Sequence, residues 1–441
     1  MAVLASASLA CLPSPARASA DPLDREDRQY LENLARDTWA CIEHFVSEKT
    51  GLPYDSDKRL SRPGTSITNI GLYLACAAAA AELGFIPESE ARERAGKALK
   101  SLRNVQKWRG AFPVTWVNTD TLETTENQFS TVDHLGNLCA GLTVVKSAFP
   151  ELREDADAVL APMDWGIIYD PDNGLYKGGF RLDLDDFDIR QSWGDWHYGN
   201  LGADTRLGSF FGLARGQVPL KHWQSLDRRT ETMYGQEYLT PGWQGGGLFM
   251  QMISGLFLDE RATVLGKSAA NFAYAQVLHA RAIGTPVWGW SAAEGPTGEY
   301  LGWGAIRDAV VTPHASALAL PYYPRRVVQN LKTLENLGAR PKAVDGGRAH
   351  DFGFRDSLDW QTGRVASGYL VLDQAMLFLS IANFLQDGAI WKWFGKDPVV
   401  RNGLEIIPEY GQSDPKALRV YAERDMEPPT EELTLPLGAK R

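Results

Sequence analysis

The stretch SITNIGLYLACAAAAAEL, residues 66–83, is apolar on nearly every face and is followed by Gly84 and Pro87, which end a helix. A helix with a run of five alanines and no polar face is expected to pack closely against neighbours on all sides. The next periodic segment, residues 88–106, is amphipathic and charged along one face. A fully buried inner helix is therefore followed by a half-exposed outer one.

The same alternation recurs along the chain. Helices are predicted at residues 25–46, 66–83, 88–106, 130–149, 151–163, 204–216, 219–229, 248–258, 266–283, 310–322, 324–338, 368–386 and 389–394. Few strands are predicted. The clearest is a Thr- and Val-rich segment at 112–127, which is interpreted as a strand or hairpin. No linker interrupts residues 25–410, so the pattern predicts an all-α (α/α)6 barrel as a single domain over 21–411. Residues 412–441, rich in Pro, Glu and Lys, are predicted to be an extended C-terminal tail.

In a barrel of this kind the loops at one end surround a central cavity. Aromatic-rich loops at 112–127, 190–200, 237–247, 285–304 and 352–361 are predicted to converge there. Residues 285–304, TPVWGWSAAEGPTGEYLGWG, combine three tryptophans, two carboxylates and five glycines. Aromatic rings bind the apolar faces of sugars, and carboxyl groups move protons at glycosidic oxygens. The alternative is a surface loop whose tryptophans cap neighbouring helices.

Composition narrows the class of partner. The formal net charge of −10 over 441 residues argues against nucleic acid or an anionic membrane, whereas a neutral glycan makes no demand on charge. After the N-terminus no segment has the ~18 uninterrupted apolar residues of a membrane span. The 14 tryptophans, many outside the apolar helical runs, favour contact with a flat amphipathic ligand such as an oligo- or polysaccharide.

The N-terminal 20 residues predict a signal peptide. An apolar run from Ala2 to Leu12 precedes Pro13, Pro15 and the A-x-A site of residues 18–20, although a basic n-region is missing. We therefore expect a periplasmic or secreted protein. The remaining cysteines, Cys41, Cys76 and Cys139, lie in apolar helical stretches and are odd in number, which predicts buried free thiols.

Motifs for metals and cofactors are missing. The seven histidines show no HExxH or paired ligand spacing, and no Walker or dinucleotide fingerprint occurs, so we expect no metal and no cofactor. Residues 170–174, DPDNG, lack the later Glu of a calcium loop and predict a plain turn. The acidic cluster at 183–188 is interpreted as a solvated loop. Residues 289–293, GWSAA, lack the second glycine of a nucleophile elbow.

Carboxylate chemistry remains. Glycoside hydrolysis needs one protonated carboxyl and one ionised carboxylate. The acids near glycines, aromatic residues or predicted helix ends are Asp133, Asp204, Glu237, Glu294, Glu299, Asp356 and Asp373. Helix capping is the alternative for each, and it explains Asp133 and Asp204 best. Glu294 and Asp356 fit capping least, because no strong helix begins just after them.

A family resemblance agrees with this interpretation. The glucoamylase-like domain family, which includes bacterial endo-β-1,2-glucanases and a domain of cyclic β-1,2-glucan synthases, is similar to VWGWSAAEGPTGEYLGWG (287–304), VVTPHASALALPYYPRRVVQNLKTLENLGA (310–339), FGFRDSLDW (352–360) and YLVLDQAMLFLSIANFLQDGAIWKWF (369–394). Residues 66–102 and STVDHLGNLCAGL (130–142) resemble its first helices. The resemblance implies an (α/α)6 barrel and an endo-acting, inverting hydrolase of β-1,2-glucan.

The resemblance also implies site residues. Asp133, Glu294, Asp356 and Asp373 match acids in the family's motifs. The chain departs from the family at Asp204, where some members carry Glu, and at 249–251, Phe-Met-Gln, where others carry Phe-Glu. These departures indicate a divergent member of the family.

The combined hypothesis is a monomeric glycosidase with Asp356 as general base and Glu294 as general acid. Arg206, Asp133 and Asp373 are expected to bind hydroxyl groups. The sugar platforms are expected to be Trp116, Trp243, Trp288, Trp290 and Trp303. A transglycosylase or phosphorolytic enzyme on the same fold, and a non-catalytic glycan-binding protein, are the alternatives.

Overall fold

The computed structural model describes residues 22–427 except 126–127, 131, 183–188, 193–195, 243–245 and 303–308, and it leaves out the side chains of 128–130, 132–133, 180–182 and 189–192. The predicted signal peptide, the acidic cluster and the last fourteen residues therefore lie outside the described part. Within that part the helices are α1 (Arg25–His44), α2 (Ile67–Glu82), α3 (Glu88–Asn104), α4 (Val132–Ala148), α5 (Arg153–Leu160), α6 (Arg206–Ala214), α7 (Leu220–Ser225), α8 (Leu248–Met252), α9 (Val264–Ile283), α10 (Pro313–Ala317), α11 (Pro324–Asn336), α12 (Val371–Leu385), α13 (Ala389–Gly395), α14 (Pro398–Ile406), α15 (Pro408–Gly411) and α16 (Pro415–Met426).

Helices α1 to α12 form two concentric rings. The even-numbered helices are inner: α2 packs against α4 and α12, α4 against α6, and α10 against α8 and α12. Each odd-numbered helix from α3 to α11 packs outside the inner helix that precedes it, and α1 packs chiefly against α12. The first inner pair is the closest, because a Cβ at Gly141 would lie 1.9 Å from the Gly71 carbonyl oxygen. The small residues of 66–83 thus allow α2 to be buried from Ile67 to Ala80.

The strands are short and lie in the connections. Within the described residues they are β1 (Gly64–Ser66), β2 (Lys107–Trp108), β3 (Phe112–Pro113), β4 (Trp116–Asn118), β5 (Gln128–Ser130), β6 (Tyr169–Asp170), β7 (Leu175–Lys177), β8 (Gly179–Leu182), β9 (Ile189–Ser192), β10 (His197–Tyr198), β11 (Thr230–Met233), β12 (Gln236–Leu239), β13 (Ala293–Glu294), β14 (Tyr300–Leu301), β15 (Val310–Val311), β16 (Ala343–Asp345), β17 (Arg348–His350), β18 (Leu358–Asp359) and β19 (Arg364–Val365). They form two- and three-stranded sheets that shape the loops between outer and inner helices.

Two predictions of secondary structure are wrong. The predicted helix 310–322 begins as β15, whose valines pair with β18, because the two β-branched residues complete a sheet formed by a distant segment. The predicted extended tail contains α16, which packs against α11 and buries Ala417, Tyr421 and Asp425. Asp414 caps this helix by accepting a hydrogen bond from the Lys416 amide at 3.0 Å.

Other features agree with the sequence. Cys41, Cys76 and Cys139 are buried free thiols. None of the helices in the described ranges is long and apolar enough to cross a membrane.

Candidate active site

A cavity of about 890 Å³ opens at the N-terminal ends of the inner helices. Its wall includes Asn69 of α2, His134 of α4, Thr205 just before α6, Met250 of α8 and Leu372 of α12. The inner helices therefore point their N-termini at one space, which is the end that carries partial positive charge. The volume falls within the range of small-molecule sites, and carboxyl groups from three loops line it.

Asp55 provides the first of these carboxyl groups. Its backbone is tied to the barrel because its amide donates to the Gly64 carbonyl at 2.9 Å and its carbonyl accepts from the Val371 amide at 2.9 Å. Its carboxylate accepts a hydrogen bond from Asn69 Nδ2 at 2.8 Å. Burial raises the pKa of Asp55, and the nearby Glu294 carboxylate raises it further, while the Asn69 bond opposes the rise. This carboxyl lines the cavity and is biased towards the protonated form.

Glu294 provides the second carboxyl group and ends β13. Its carbonyl accepts a 2.6 Å hydrogen bond from Ser357 Oγ. Glu294 lines the cavity, and its carboxylate pairs with Lys58 Nζ. Gly368 packs against the carboxylate so closely that a Cβ there would lie 2.7 Å from Glu294 Oε1. The ion pair with Lys58 fits the role of a base better than the acid role predicted from the sequence.

Asp356 does not line the cavity. It is buried, and its two carboxylate oxygens accept from the Leu370 amide at 2.9 and 3.1 Å, at the start of α12. Burial raises the pKa of Asp356 well above its usual range, and the Glu294 carboxylate adds to the rise. The position assumed for a cavity-facing general base is therefore wrong. Because Leu370 itself lines the cavity, Asp356 instead holds part of the wall in place.

Asp373 is also buried rather than exposed to a ligand, which corrects its predicted role in binding hydroxyl groups. Its Oδ2 lies 3.4 Å from His314 Nδ1, and neither side chain has a hydrogen-bond partner within the described residues. Burial raises the pKa of Asp373 well above its usual range, with Asp356 as the next contributor. Burial also lowers the pKa of His314 to about 3, so the two shifts both favour the neutral forms.

Replacing Asp373 by asparagine is expected to flatten the dependence of stability on pH. The folded protein retains a proton that the unfolded chain releases above about pH 4, so wild-type stability falls as pH rises towards the raised pKa. The variant lacks this term and should gain about 1.4 kcal/mol relative to wild type per pH unit in that window. Urea unfolding at several pH values measures this gain. The exposed Asp351→Asn is the control, and parallel curves for wild type and Asp373→Asn would contradict the argument.

Arg206 is a structural residue, contrary to the prediction that it binds hydroxyl groups. It is buried and pairs with Glu260 through Nη2 at 2.8 Å and Nε at 3.2 Å. It also donates to the carbonyls of Leu201 at 3.0 Å and Gln251 at 3.1 Å. Tyr410 donates to Glu260 at 2.7 Å and links the C-terminal helices to this pair. Four separate segments are thereby joined behind the cavity.

Arg206→Met is expected to destabilise the protein by about 3–5 kcal/mol, because the Glu260 charge is left buried without its partner. Chemical denaturation measures the loss, and adding Glu260→Gln should recover part of it. Arg229→Met, at an ion pair whose arginine is 79% exposed, should change stability by about 1 kcal/mol or less. A stable Arg206→Met protein with weakened substrate binding would favour the original prediction.

The predicted tryptophan platforms divide into three groups. Trp116 lines the cavity, with its ring 6.2 Å from that of His134. Trp288 and Trp290 are core residues. The Trp288 amide donates to Asn330 Oδ1 at 2.9 Å, and the Trp290 amide donates to Gln276 Oε1 at 2.8 Å. These bonds hold the segment between α9 and α11. The side chains of Trp243 and Trp303 lie outside the described residues, as does the side chain of Asp133.

Of the remaining acids, Asp204 lines the cavity just before α6, whereas Glu237 and Glu299 are exposed and lie outside the cavity lining.

Asp55 and Lys58 were not among the site residues predicted from the sequence. Both follow the Gly51-Leu52-Pro53 break between an outer and an inner helix, which is the kind of loop that supplied the other candidates. A search of every loop between an outer and an inner helix for charged side chains would have found both residues.

No group of three His, Cys, Asp or Glu side chains within the described ranges has the arrangement of a metal site. The chemistry available to the cavity from its own residues is proton transfer by carboxyl groups together with stacking on aromatic rings.

Comparison with known proteins agrees with this architecture. Residues 209–398 match the Glycoamylase family model, described as "Putative glucoamylase". These residues are thus similar to a glucoamylase-like family domain. Residues 33–178 match a second model, described as a protein of unknown function (DUF3131). The cyclic β-(1,2)-glucan synthase NdvB of Rhizobium meliloti is 26% identical over 287 residues, which are 60% of this chain and 10% of that relative. The chain thus spans about a tenth of the length of NdvB.

Solved structures show the same fold. A "putative glucoamylase" from Bacteroides uniformis has a TM-score of 0.74 at 18% identity, over 87% of this chain and 97% of its own. The endo-β-1,2-glucanase of Chitinophaga pinensis has a TM-score of 0.71 at 17% identity, over 86% and 97%. That of Talaromyces funiculosus has a TM-score of 0.61 at 12% identity, over 93% and 94%. The predicted (α/α)6 fold is confirmed.

Proposed function

We propose that this protein is a glycoside hydrolase that cleaves β-glucan, with β-1,2-linked glucan as its substrate. One observation carries the proposal: a cavity carboxyl biased towards protonation by burial, Asp55, is electrostatically coupled to a carboxylate paired with a lysine, Glu294. Hydrolysis of a glycoside requires this combination of an acid and a base. The named activity of the similar endo-β-1,2-glucanases supports the choice of substrate.

The two groups suggest a mechanism. Asp55 donates its proton to the glycosidic oxygen as the bond to the anomeric carbon breaks. Glu294 takes a proton from water, and the water oxygen attacks the anomeric carbon from the opposite side. Direct attack of water inverts the configuration. Lys58 pairs with the Glu294 carboxylate, and Asp204 is a third cavity carboxyl whose contribution is separable by mutation.

The proposal extends to cleavage mode and location. The cavity opens at the loop end of the barrel, and we propose internal cleavage of glucan by a monomeric enzyme in the periplasm or outside the cell. The N-terminal signal-like segment supports export.

A panel of β-1,2-, β-1,3- and β-1,4-glucans scored for new reducing ends tests the substrate. We expect release from β-1,2-glucan above all, with short oligosaccharides of several lengths among the first products. The anomeric form of the first product, followed by NMR, tests inversion. Release from none of the glucans would reject the hydrolase assignment, and binding without cleavage would favour a glycan-binding protein.

The relationship to a cyclic glucan synthase favours one second candidate, a transglycosylase that moves a β-1,2-glucan chain onto a sugar hydroxyl. Such an enzyme would convert short β-1,2-glucans into longer or cyclic products without a matching gain in reducing ends. Mass spectrometry of the products separates the two reactions. Incubation with and without phosphate separates a phosphorolytic enzyme from both.

A further inference from the structure

The small sheet formed by β6, β7 and β10 carries one wall of the cavity that the mechanism does not use. Its strand order is β10–β7–β6, with His197 opposite Lys177 and Asp170 opposite Leu175. Trp196, His197 and Tyr198 follow one another along its edge, and all three line the cavity. An aromatic ring, an imidazole and a phenol thus belong to one short segment of the cavity wall.

Trp196 is held in place by its surroundings. A Cβ at Gly178 would lie 2.4 Å from two carbon atoms of the Trp196 ring, so the ring rests directly on the Gly178 backbone. The Gly178 amide also donates to the Trp196 carbonyl at 3.0 Å, and the Tyr198 ring meets Trp196 edge to face at 4.7 Å. Trp196 nevertheless remains 41% exposed. A ring that is fixed and still accessible is already organised for stacking on a sugar.

His197 is oriented by the turn that precedes β7. Its Nε2 lies 2.8 Å from Asp170 Oδ2, and Asn173 Nδ2 donates to the same oxygen at 2.9 Å. Hydrogen bonds from the Asn173 and His197 side chains hold the pKa of Asp170 well below its usual range. Because an ionised carboxylate can only accept, this contact places a proton on His197 Nε2. The other ring nitrogen, Nδ1, is then the one available to a sugar hydroxyl.

We propose that this wall is a preformed sugar subsite, in which the Trp196 ring stacks on a glucose unit and His197 Nδ1 accepts a hydrogen bond from a hydroxyl of the same glucan chain. Asp170 and Gly178 are positioning residues: Asp170 fixes the tautomer and direction of the imidazole, and Gly178 leaves the space in which the Trp196 ring lies. The proposal rests on the proposed function, since it names a binding determinant for the same glucan.

The test uses two pairs of matched variants, with β-1,2-linked gluco-oligosaccharides as substrate. Asp170→Ala removes the carboxylate that orients His197, and its control, Asp172→Ala, removes a neighbouring exposed carboxylate of the same turn. Gly178→Ala pushes on the Trp196 ring, and its control, Gly395→Ala, introduces a methyl group with no atom within 4 Å. We expect each test variant to raise KM about three- to tenfold, the effect of losing one favourable contact, with kcat retained. The controls should keep the wild-type KM.

A direct binding measurement complements the kinetics. In the Glu294→Gln background, where turnover is expected to be slow, isothermal titration should show weaker oligosaccharide binding when Asp170→Ala or Gly178→Ala is added. A merely structural defect would lower Tm and kcat without changing KM, which would overturn the proposal. Wild-type turnover with unchanged KM and unchanged binding in both variants would also reject the subsite, but it would leave the proposed function standing. Absence of turnover and of binding in the wild-type protein would reject the proposed function itself.

Discussion

Glu294→Gln is expected to lower kcat on β-1,2-glucan by ~10²–10⁴-fold, the usual loss when a general base is removed. Glutamine keeps the size of the side chain, but it cannot take a proton from water. The change also leaves Lys58 without its anionic partner in the cavity wall. Initial rates of reducing-end release measure the loss, and circular dichroism with thermal unfolding shows whether the fold is retained.

The same hairpin supplies the control. Glu299 is exposed, lies five residues further along the chain and is outside the cavity lining, so Glu299→Gln should have about the wild-type rate. In Glu294→Ala, the space left by the side chain should allow a small anion such as azide to restore part of the turnover. Wild-type activity in Glu294→Gln would remove this residue from the mechanism and leave Asp204 as the candidate base.

Asp55→Asn is expected to have an effect of similar size, ~10²–10⁴-fold in kcat, because it removes the proposed proton donor. The dependence on pH identifies the role. Activity requires the protonated form of Asp55, and burial raises its pKa, so wild-type kcat/KM should fall as pH rises through that raised value. The variant should lose this alkaline fall in its residual activity.

Substrates with a good leaving group sharpen this test. An activated aryl glycoside needs little protonation of its leaving oxygen, so Asp55→Asn should lose far less activity on it than on glucan. Asp204→Asn is the matched comparison, as it alters another cavity carboxyl. If Asp204→Asn shows the loss, the altered pH profile and the rescue by a good leaving group while Asp55→Asn does not, then Asp204 is the proton donor.

Much of the architecture could be predicted from residues that are close in sequence. The apolar run 66–83 followed by the amphipathic 88–106 predicted an inner and an outer helix, because the breadth of an apolar face depends on how many neighbours a helix has. The buried thiols followed from the same patterns. The strand β15 and the helix α16 were missed because each is stabilised by a distant segment, β18 in one case and α11 in the other.

The site was predicted less well. Sequence identified Glu294, Asp204 and Trp116 as candidates, and all three line the cavity. It could not distinguish an aromatic residue on a cavity wall from one in the core, since Trp288 and Trp290 lie in the same glycine-rich segment as Glu294 but face away from the ligand space. A difference of one or two positions along an irregular loop reverses the direction of a side chain.

The sequence by itself determined the class of fold and predicted the kind of chemistry, because helix periodicity and residue type are local properties. Only the tertiary structure decided which charges are paired and which are buried. Arg206 faces Glu260 across 54 positions of sequence, Lys58 reaches Glu294 across 236, and Asp356 binds the amide that begins α12. Protonation depends on such long-range neighbours and on the exclusion of water. For that reason the candidate acid moved from Glu294 to Asp55, and the candidate base from Asp356 to Glu294.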